Sequence, residues 1–184
     1  MEIRDAVPSD ASTVAAVARE SWHGAYDDLL GPETVARTVE EWYAPESIRE
    51  EIGTAAAGGS ACFLVAVDDG EVVGFTNGGA ARDWASDPDD PDAFLSRLYV
   101  APGRWGEGIG TRLTAHLARR LRAAGHERVW LEVFAANERA RAFYTSLGFT
   151  RIGHVTETFG GTDVATLHLA APLDAVVDAT TEPR

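Results

Sequence analysis

The chain has 184 residues, a formal net charge of −13 and one cysteine, Cys62. A chain of this length can bury a core without disulfides, and a single cysteine excludes an internal disulfide framework and suggests no metal cluster. The acidic excess argues against sequence-independent nucleic-acid binding, which depends on neutralising phosphates. With no apolar run of membrane-spanning length and no signal-peptide pattern, we expect a soluble cytoplasmic protein without membrane attachment.

The charged residues are unusual in kind as well as in balance. All 16 basic residues are arginine, and the chain contains neither lysine nor glutamine. One interpretation is that the acidic surface attracts a cationic substrate. The other, which we prefer, is that the surface stays hydrated in a salt-rich cytoplasm, where charge repulsion is screened. On the second interpretation the chain is halophilic, and its net charge says little about its substrate.

The first quarter of the chain predicts one strand followed by helices. Residues 2–7 are strand-like, and Ser9 or Asp10 can cap a helix that extends to about Trp22. Glycines 24 and 31 interrupt the helical pattern, so separate helices are expected over about 33–43 and 46–52. Trp22 and Tyr26 lie between these helices. They either line a substrate pocket or pack the helix pair together.

A hairpin and an acidic loop follow. Residues 61–67 and 71–81 predict two strands, and Asp68-Asp69-Gly70-Glu71 between them is typical of a tight hairpin turn. Residues 82–92 contain clustered aspartates and two prolines. Their spacing matches no calcium loop, so a solvated loop is expected there.

The most informative stretch runs from residue 94 to residue 121. An apolar strand over 94–100 stops at Pro102, a glycine-rich loop spans 103–110, and a helix follows with apolar residues at every fourth position. The first turn of a helix carries unpaired N–H groups and partial positive charge, which together favour an anion. Alternate glycines at 106, 108 and 110 let a bulky phosphate approach the backbone. The alternative is a tight turn that only caps the helix.

The remaining chain alternates between strands and helices. Gly125 is placed to end the central helix, residues 128–134 predict a strand, and residues 137–147 predict a helix closed by Gly148. Two further strands are expected over about 150–158 and 164–171. We expect one domain over residues 1–173 and a frayed polar tail over 174–184.

Three motifs together resemble the GNAT superfamily of acyl-CoA-dependent N-acetyltransferases. LYVAPGRWGEGIGTRL is similar to the family's acetyl-CoA signature, NERARAFYTSLGFTRIG to its second motif, and SWHGAYDDLLGPE to the opening of many bacterial and archaeal members. The likeness covers about residues 2–171. One position departs from the R/Q-x-x-G-x-G loop: Trp105 stands in its first place, with Arg104 one step earlier.

The resemblance implies a fold and a cofactor. The implied fold is mixed α/β (α+β), with a mostly antiparallel sheet of about seven strands, about four flanking helices, and splayed fourth and fifth strands. The implied co-substrate is acetyl-CoA, without a metal, whose pantetheine arm lies between the splayed strands. The implied cofactor-binding residues are Leu98, Tyr99, Val100, Arg104, Trp105, Gly106, Glu107, Gly108, Ile109, Gly110, Thr111, Asn137, Ala140, Phe143 and Tyr144.

The resemblance also implies a reaction, namely acetyl transfer to a primary amine by an acyltransferase. Tyr144 is the favoured residue to donate a proton to the leaving thiolate, and the alternative is that it is only a core aromatic residue. The base that deprotonates the amine is not evident. Glu132 is one candidate, as a substrate-facing carboxylate or a structural residue, and Ser96, Tyr99, His23, Tyr26 and Asp27 are weaker ones. The acceptor is a small-molecule or peptide amine, and a homodimer is possible.

Two other functions remain to be weighed. The first is a non-catalytic module that binds acyl-CoA as a sensor or an interaction domain. The second is a dinucleotide-binding oxidoreductase, which is remote because its G-x-G-x-x-G loop should follow the first strand. A P-loop is excluded because the chain has no lysine.

Overall fold

A computed structural model describes residues 1–58, 61–81 and 92–181 of the chain. The strands are β1 (Glu2–Asp5), β2 (Cys62–Asp68), β3 (Glu71–Ala80), β4 (Ala93–Val100), β5 (Arg128–Phe134), β6 (Thr150–Phe159) and β7 (Thr162–Pro172). The helices are α1 (Ala11–Leu30), α2 (Pro32–Trp42), α3 (Pro45–Ala56), α4 (Ile109–Ala123), α5 (Glu138–Ser146) and α6 (Leu173–Thr181). Short 3-10 turns precede α1 and follow β4.

All seven strands form one sheet in the order β1-β2-β3-β4-β5-β7-β6. Every neighbouring pair is antiparallel except β4 and β5, which are parallel. The turn between β2 and β3 has left-handed backbone at Asp69 and Gly70, as a two-residue hairpin requires. The predicted fold class is therefore confirmed.

The two faces of the sheet bury different helices. On β5, Val129, Leu131 and Val133 pack with the apolar residues of α4 and α6, so we call this side the α4 face. Phe134 packs with α1, α2 and α3 on the opposite side, the α1 face. Because side chains alternate along a strand, residues 130, 132 and 134 of β5 all lie on the α1 face.

Helix α1 differs from its predicted length. It continues through Gly24 to Leu30 and ends at Gly31, whose φ is 81°. A Cβ at Gly24 would lie 3.1 Å from Cη2 of Trp105 and 3.2 Å from Cγ of Pro102. Gly24 is therefore a close-packing position inside a helix and not a break, and the described ranges contain six α-helices where about four were expected.

The C-terminal segment also differs from the prediction. Residues 173–181 form α6, whereas the composition predicted a frayed tail over 174–184. Leu173 and Val176 are 1% and 0% exposed and belong to the core beneath α4. The spacing of these two residues and Val177 is that of an amphipathic helix. The small and polar residues around them concealed this pattern in the sequence.

The expectations about membrane helices, metal sites and the acidic loop can be checked only for the described residues. Within those ranges, no helix has the length and apolar character needed to cross a membrane. The same part of the chain contains no group of three side chains able to hold a metal ion. The acidic loop expected at 82–92 lies, apart from Asp92, outside the described residues.

Candidate active site

Strands β4 and β5 part soon after they begin. They pair only at Ala93 with Val129 and at Phe94 with Trp130. On the other edge of β4 the register with β3 shifts, so that Ser96 is an extra residue in a β-bulge. From this bulge onward the two parallel strands border an open gap, as the splayed arrangement predicted.

Backbone groups of β4 point into this gap. The Ala101 N–H donates to the Val73 carbonyl at 3.0 Å, so by antiparallel alternation the backbone groups of Leu98 and Val100 point away from β3. The Val100 carbonyl already accepts hydrogen bonds from Ser21 Oγ and Trp105 Nε1, both at 2.8 Å. The Val100 N–H and both backbone groups of Leu98 are therefore the ones that face the gap.

The loop after β4 presents a cluster of unpaired amides. Gly106 and Gly108 have φ values of 87° and 77°, which side-chain-bearing residues adopt only with strain. A Cβ at either position would meet no atom within 4 Å, so it would project into open space. The N–H groups of residues 106–111 have no hydrogen-bond acceptor among the described residues. This surface lies at the N-terminus of the 15-residue helix α4, where unpaired amides can accept an anion.

The two side chains at the start of the loop are not free to hold that anion. Arg104 donates to Asp68 at 2.7 Å and to Glu107 at 2.8 Å, so two carboxylates balance its charge. Trp105 is fixed by its bond to the Val100 carbonyl. The guanidinium carbon of Arg139 lies 3.9 Å from the centre of the Trp105 ring. Arg139, which the sequence did not single out, thus brings a cation to this loop.

Helix α5 closes the gap from the β5 side. Asn137 caps it, accepting the Ala140 N–H at Oδ1 (3.0 Å), while its Nδ2 donates to the Tyr26 hydroxyl at 3.0 Å. The Phe143 ring packs on the first turn of α4, where a Cβ at Gly110 would lie 3.5 Å from Cζ. The residues of this segment that were predicted to bind the cofactor therefore contact α1 and the first turn of α4 beside the gap.

Tyr144 is buried on the α4 face. Its side chain is 7% exposed, and its ring lies between those of Phe143 and Phe149, with centroid distances of 5.2 and 5.4 Å. Burial raises the pKa of this phenol, and the neighbouring phenols Tyr99 and Tyr26 raise it further. Within the described part of the chain its hydroxyl has no hydrogen-bond partner. Tyr144 therefore remains protonated and has a proton to donate.

The aromatic residues of α1 pack against the sheet. Trp22 is 3% exposed and its Nε1 donates to the hydroxyls of Tyr43 (3.1 Å) and Tyr99 (3.0 Å). Tyr26 stacks edge-on against Phe134 at 5.0 Å. This burial favours the packing interpretation of Trp22 and Tyr26 over the pocket interpretation. The Tyr99 side chain belongs to the same cluster, and by alternation its backbone faces β3 and not the gap.

The candidate bases lie in different places. Glu132 is on the α1 face of β5, beside the gap, and its Oε1 lies 3.3 Å from Nε2 of His168 on β7. Ser96 forms the bulge at the start of the gap. His23 and Asp27 instead pair with each other at 2.8 Å on α1, and His23 borders a small cleft of about 290 Å³ between α1 and α2.

Comparisons with known proteins agree with this geometry. The model of the acetyltransferase (GNAT) family matches residues 22–149. An uncharacterised N-acetyltransferase of Mycobacterium bovis is 31% identical over 151 residues, covering 82% of this chain and 88% of the relative. A spermidine N(1)-acetyltransferase of Thermoplasma acidophilum is 28% identical over 149 residues, covering 81% and 88%.

A solved structure extends the comparison. The PaiA N-acetyltransferase of Thermoplasma acidophilum, in complex with coenzyme A, superimposes with a TM-score of 0.75 at 25% identity, covering 93% of this chain and 98% of that one. The family model alone spans more than half of the chain. The chain therefore belongs to the acetyltransferase (GNAT) family.

Proposed function

We propose that the chain transfers an acetyl group from acetyl-CoA to a primary amine. The observation that carries this proposal is the run of unpaired amides at residues 106–111, beside strands that part to leave a gap. These amides suit a pyrophosphate, and the backbone of Leu98 and Val100 suits the amides of a pantetheine arm. The coenzyme A complex of the structural relative supports the same assignment.

Tyr144 is the proposed proton donor. In the transfer a C–N bond forms between the amine and the acetyl carbon, and the C–S bond of the thioester breaks. The departing thiolate takes the proton of the Tyr144 hydroxyl. The absence of a competing hydrogen-bond partner among the described residues supports the role, although the burial that raises the pKa of this phenol makes it a weaker acid. The Val100 N–H, facing the gap, would polarise the thioester carbonyl.

The acceptor is proposed only as a class, a small-molecule or peptide amine. Spermidine is the first candidate to try, because one relative carries that activity in its name. The dinucleotide-binding alternative has no support from the family that the chain belongs to. The alternative that the experiment must distinguish from an enzyme is a non-catalytic module that binds acyl-CoA.

Release of free thiol from acetyl-CoA, with mass spectrometry of the acceptor, tests the proposal. The panel should contain spermidine, an amino acid, an aminoglycoside and a short peptide with a free N-terminus, each at low and at high salt. We expect at least one acceptor to gain an acetyl group in step with thiol release. If acetyl-CoA binds but no acceptor is acetylated, the chain is a binding module and the proposal fails.

A further inference from the structure

A cavity of about 700 Å³ lies between α3 and the strands β2, β3 and β4, on the α1 face of the sheet. Clefts of this size commonly bind small molecules. We call it the α3 cavity, and it is distinct from the loop and the gap assigned to acetyl-CoA. Its helix wall is formed by Ser47, Glu50, Glu51 and Thr54, and its sheet wall includes Asn77 and Ser96.

The α3 cavity adjoins the start of the gap between β4 and β5. Phe94, the last residue of β4 that pairs with β5, lines the cavity, and so does Ser96, which forms the bulge. At the other end of β4, helix α1 covers the strand, because Ser21 Oγ donates to the Val100 carbonyl at 2.8 Å. An amine that reacts in the gap can therefore place the rest of its chain in the α3 cavity.

The two carboxylates of the α3 cavity differ in their partners. Glu51 is neutralised, since it forms an ion pair with Arg97 and accepts a hydrogen bond from Asn77 Nδ2 at 3.4 Å. Glu50 is exposed, and it has no hydrogen bond or ion pair within the described ranges. The α3 cavity thus carries one negative charge that no ion pair of the described residues balances.

Asn77 leaves a hydrogen-bond acceptor unused at the wall of the cavity. Its Nδ2 faces an ionised carboxylate, which can only accept, so the orientation of the amide is fixed. Oδ1 is buried and has no donor among the described residues, which is unfavourable for a buried acceptor. Together with the charge of Glu50, this atom favours a ligand that brings donors and positive charge. An ammonium group has both, whereas a phosphate or a carboxylate has neither.

We infer that the α3 cavity binds a second ammonium group of the acceptor, so that the substrate class is a linear di- or polyamine. The inference rests on the proposed acetyl transfer, and it assigns Glu50 and Asn77 to the remote ammonium group and not to the reacting nitrogen. Asn77 is the register partner of Arg97, which precedes by three residues the Val100 N–H that we assign to the thioester carbonyl. At about 3.3 Å per residue along a strand, the two nitrogen atoms lie roughly 10 Å apart.

The first test compares acceptors that differ by one ammonium group. We expect kcat/KM for 1,8-diaminooctane to exceed that for 1-aminooctane by about tenfold or more, as a charge-assisted hydrogen bond would give, which is well above the factor of two for two equivalent amino groups. Most of the difference should lie in KM, since the second ammonium group takes no part in the chemistry. For 1,3-diaminopropane and 1-aminopropane the ratio should stay within a few-fold, because the short diamine cannot reach both positions.

The second test removes the groups that would hold the remote ammonium group. Glu50→Gln should lower the ratio for the eight-carbon pair by about threefold to fivefold, the upper range for an exposed ion pair. Asn77→Leu should lower it by about tenfold, because the buried acceptor is lost. Glu46→Gln is the matched control and should leave the ratio unchanged. Glu46 is an exposed carboxylate one turn earlier on α3 that does not line the cavity.

The outcomes separate this inference from the proposed function. Equal kcat/KM for the two eight-carbon amines would overturn the inference and leave the acetyl transfer intact. Equal losses in Glu50→Gln and Glu46→Gln would also overturn it, because they would show attraction to the acidic surface as a whole. If acetyl-CoA binds but no amine is acetylated, the proposed function fails and the inference falls with it.

A titration without turnover completes the test. Calorimetric titration of 1,8-diaminooctane into the chain saturated with coenzyme A should show binding that Glu50→Gln weakens and Glu46→Gln does not. The exposed position of Glu50 means that its substitution should not disturb folding, so the result does not depend on the Asn77 variant. Absence of binding to the unaltered chain would overturn the inference.

Discussion

Replacing Tyr144 with Phe is expected to lower kcat by about 100-fold or more, the usual contribution of a positioned general acid. The substitution removes one hydroxyl and leaves the ring between Phe143 and Phe149. Because that hydroxyl has no partner in the described chain, its loss should leave the fold and the Kd for acetyl-CoA nearly unchanged. Steady-state thiol release and calorimetric titration of acetyl-CoA measure the two effects separately.

Tyr43→Phe is the matched control for this prediction. Tyr43 is also buried, but its hydroxyl bonds to Trp22 and Tyr99 on the α1 side of the sheet. Its loss should cost about 1 kcal/mol of unfolding free energy, the net value of a typical hydrogen bond, and leave kcat within a few-fold. If Tyr144→Phe also loses only a few-fold in kcat, Tyr144 is not the principal acid.

Replacing Gly108 is expected to weaken acetyl-CoA binding by about 10- to 100-fold, which corresponds to one charge-assisted hydrogen bond to the loop. A side chain at this position would project into open space, and we expect it to hinder the approach of an anion to the amides of residues 106–111. Gly108→Ala also strains the left-handed backbone, at a cost of about 1–2 kcal/mol. Gly108→Asn separates the two effects, because asparagine tolerates that conformation and still fills the space.

Gly103→Ala serves as the control for the loop. Gly103 lies in the 3-10 turn at the start of the loop, outside the run of unpaired amides, has no positive φ, and has room for a Cβ. Its substitution should change the Kd for acetyl-CoA by less than about twofold, consistent with the small effects of surface changes. Calorimetric titration would contradict the assignment of the loop if Gly108→Asn bound acetyl-CoA as tightly as the unaltered chain.

Local sequence signals predicted much of the fold, including the loop to which we assign the cofactor. The strand, glycine loop and helix around Gly108 are contiguous in the chain, so the local sequence pattern predicts them without tertiary information. The same holds for the hairpin turn at Asp69 and Gly70 and for the helix that Asn137 caps. In each case the residues that decide the backbone conformation lie within the segment that adopts it.

The features that the sequence did not reveal depend on distant contacts. Helix α1 passes through Gly24 because Trp105 and Pro102 pack there, about eighty positions along the chain. The Glu132–His168 contact depends on the position of β7 between β5 and β6 in the sheet. This position cannot be inferred from the order of the strands along the chain. Arg139 meets Trp105 only because α5 approaches the loop across the gap.

Calorimetric titration with acetyl-CoA, acetyl-pantetheine and NAD tests the central claim most directly, which is that residues 106–111 hold the pyrophosphate of an acyl-CoA. We expect acetyl-CoA to bind and to stabilise the chain by about 2.7 kcal/mol at a concentration of about 100 Kd. Acetyl-pantetheine, which lacks the pyrophosphate, should bind at least tenfold more weakly, as expected for the loss of about 1.4 kcal/mol or more. Equal binding of acetyl-CoA and acetyl-pantetheine, or binding of NAD without acetyl-CoA, would contradict it.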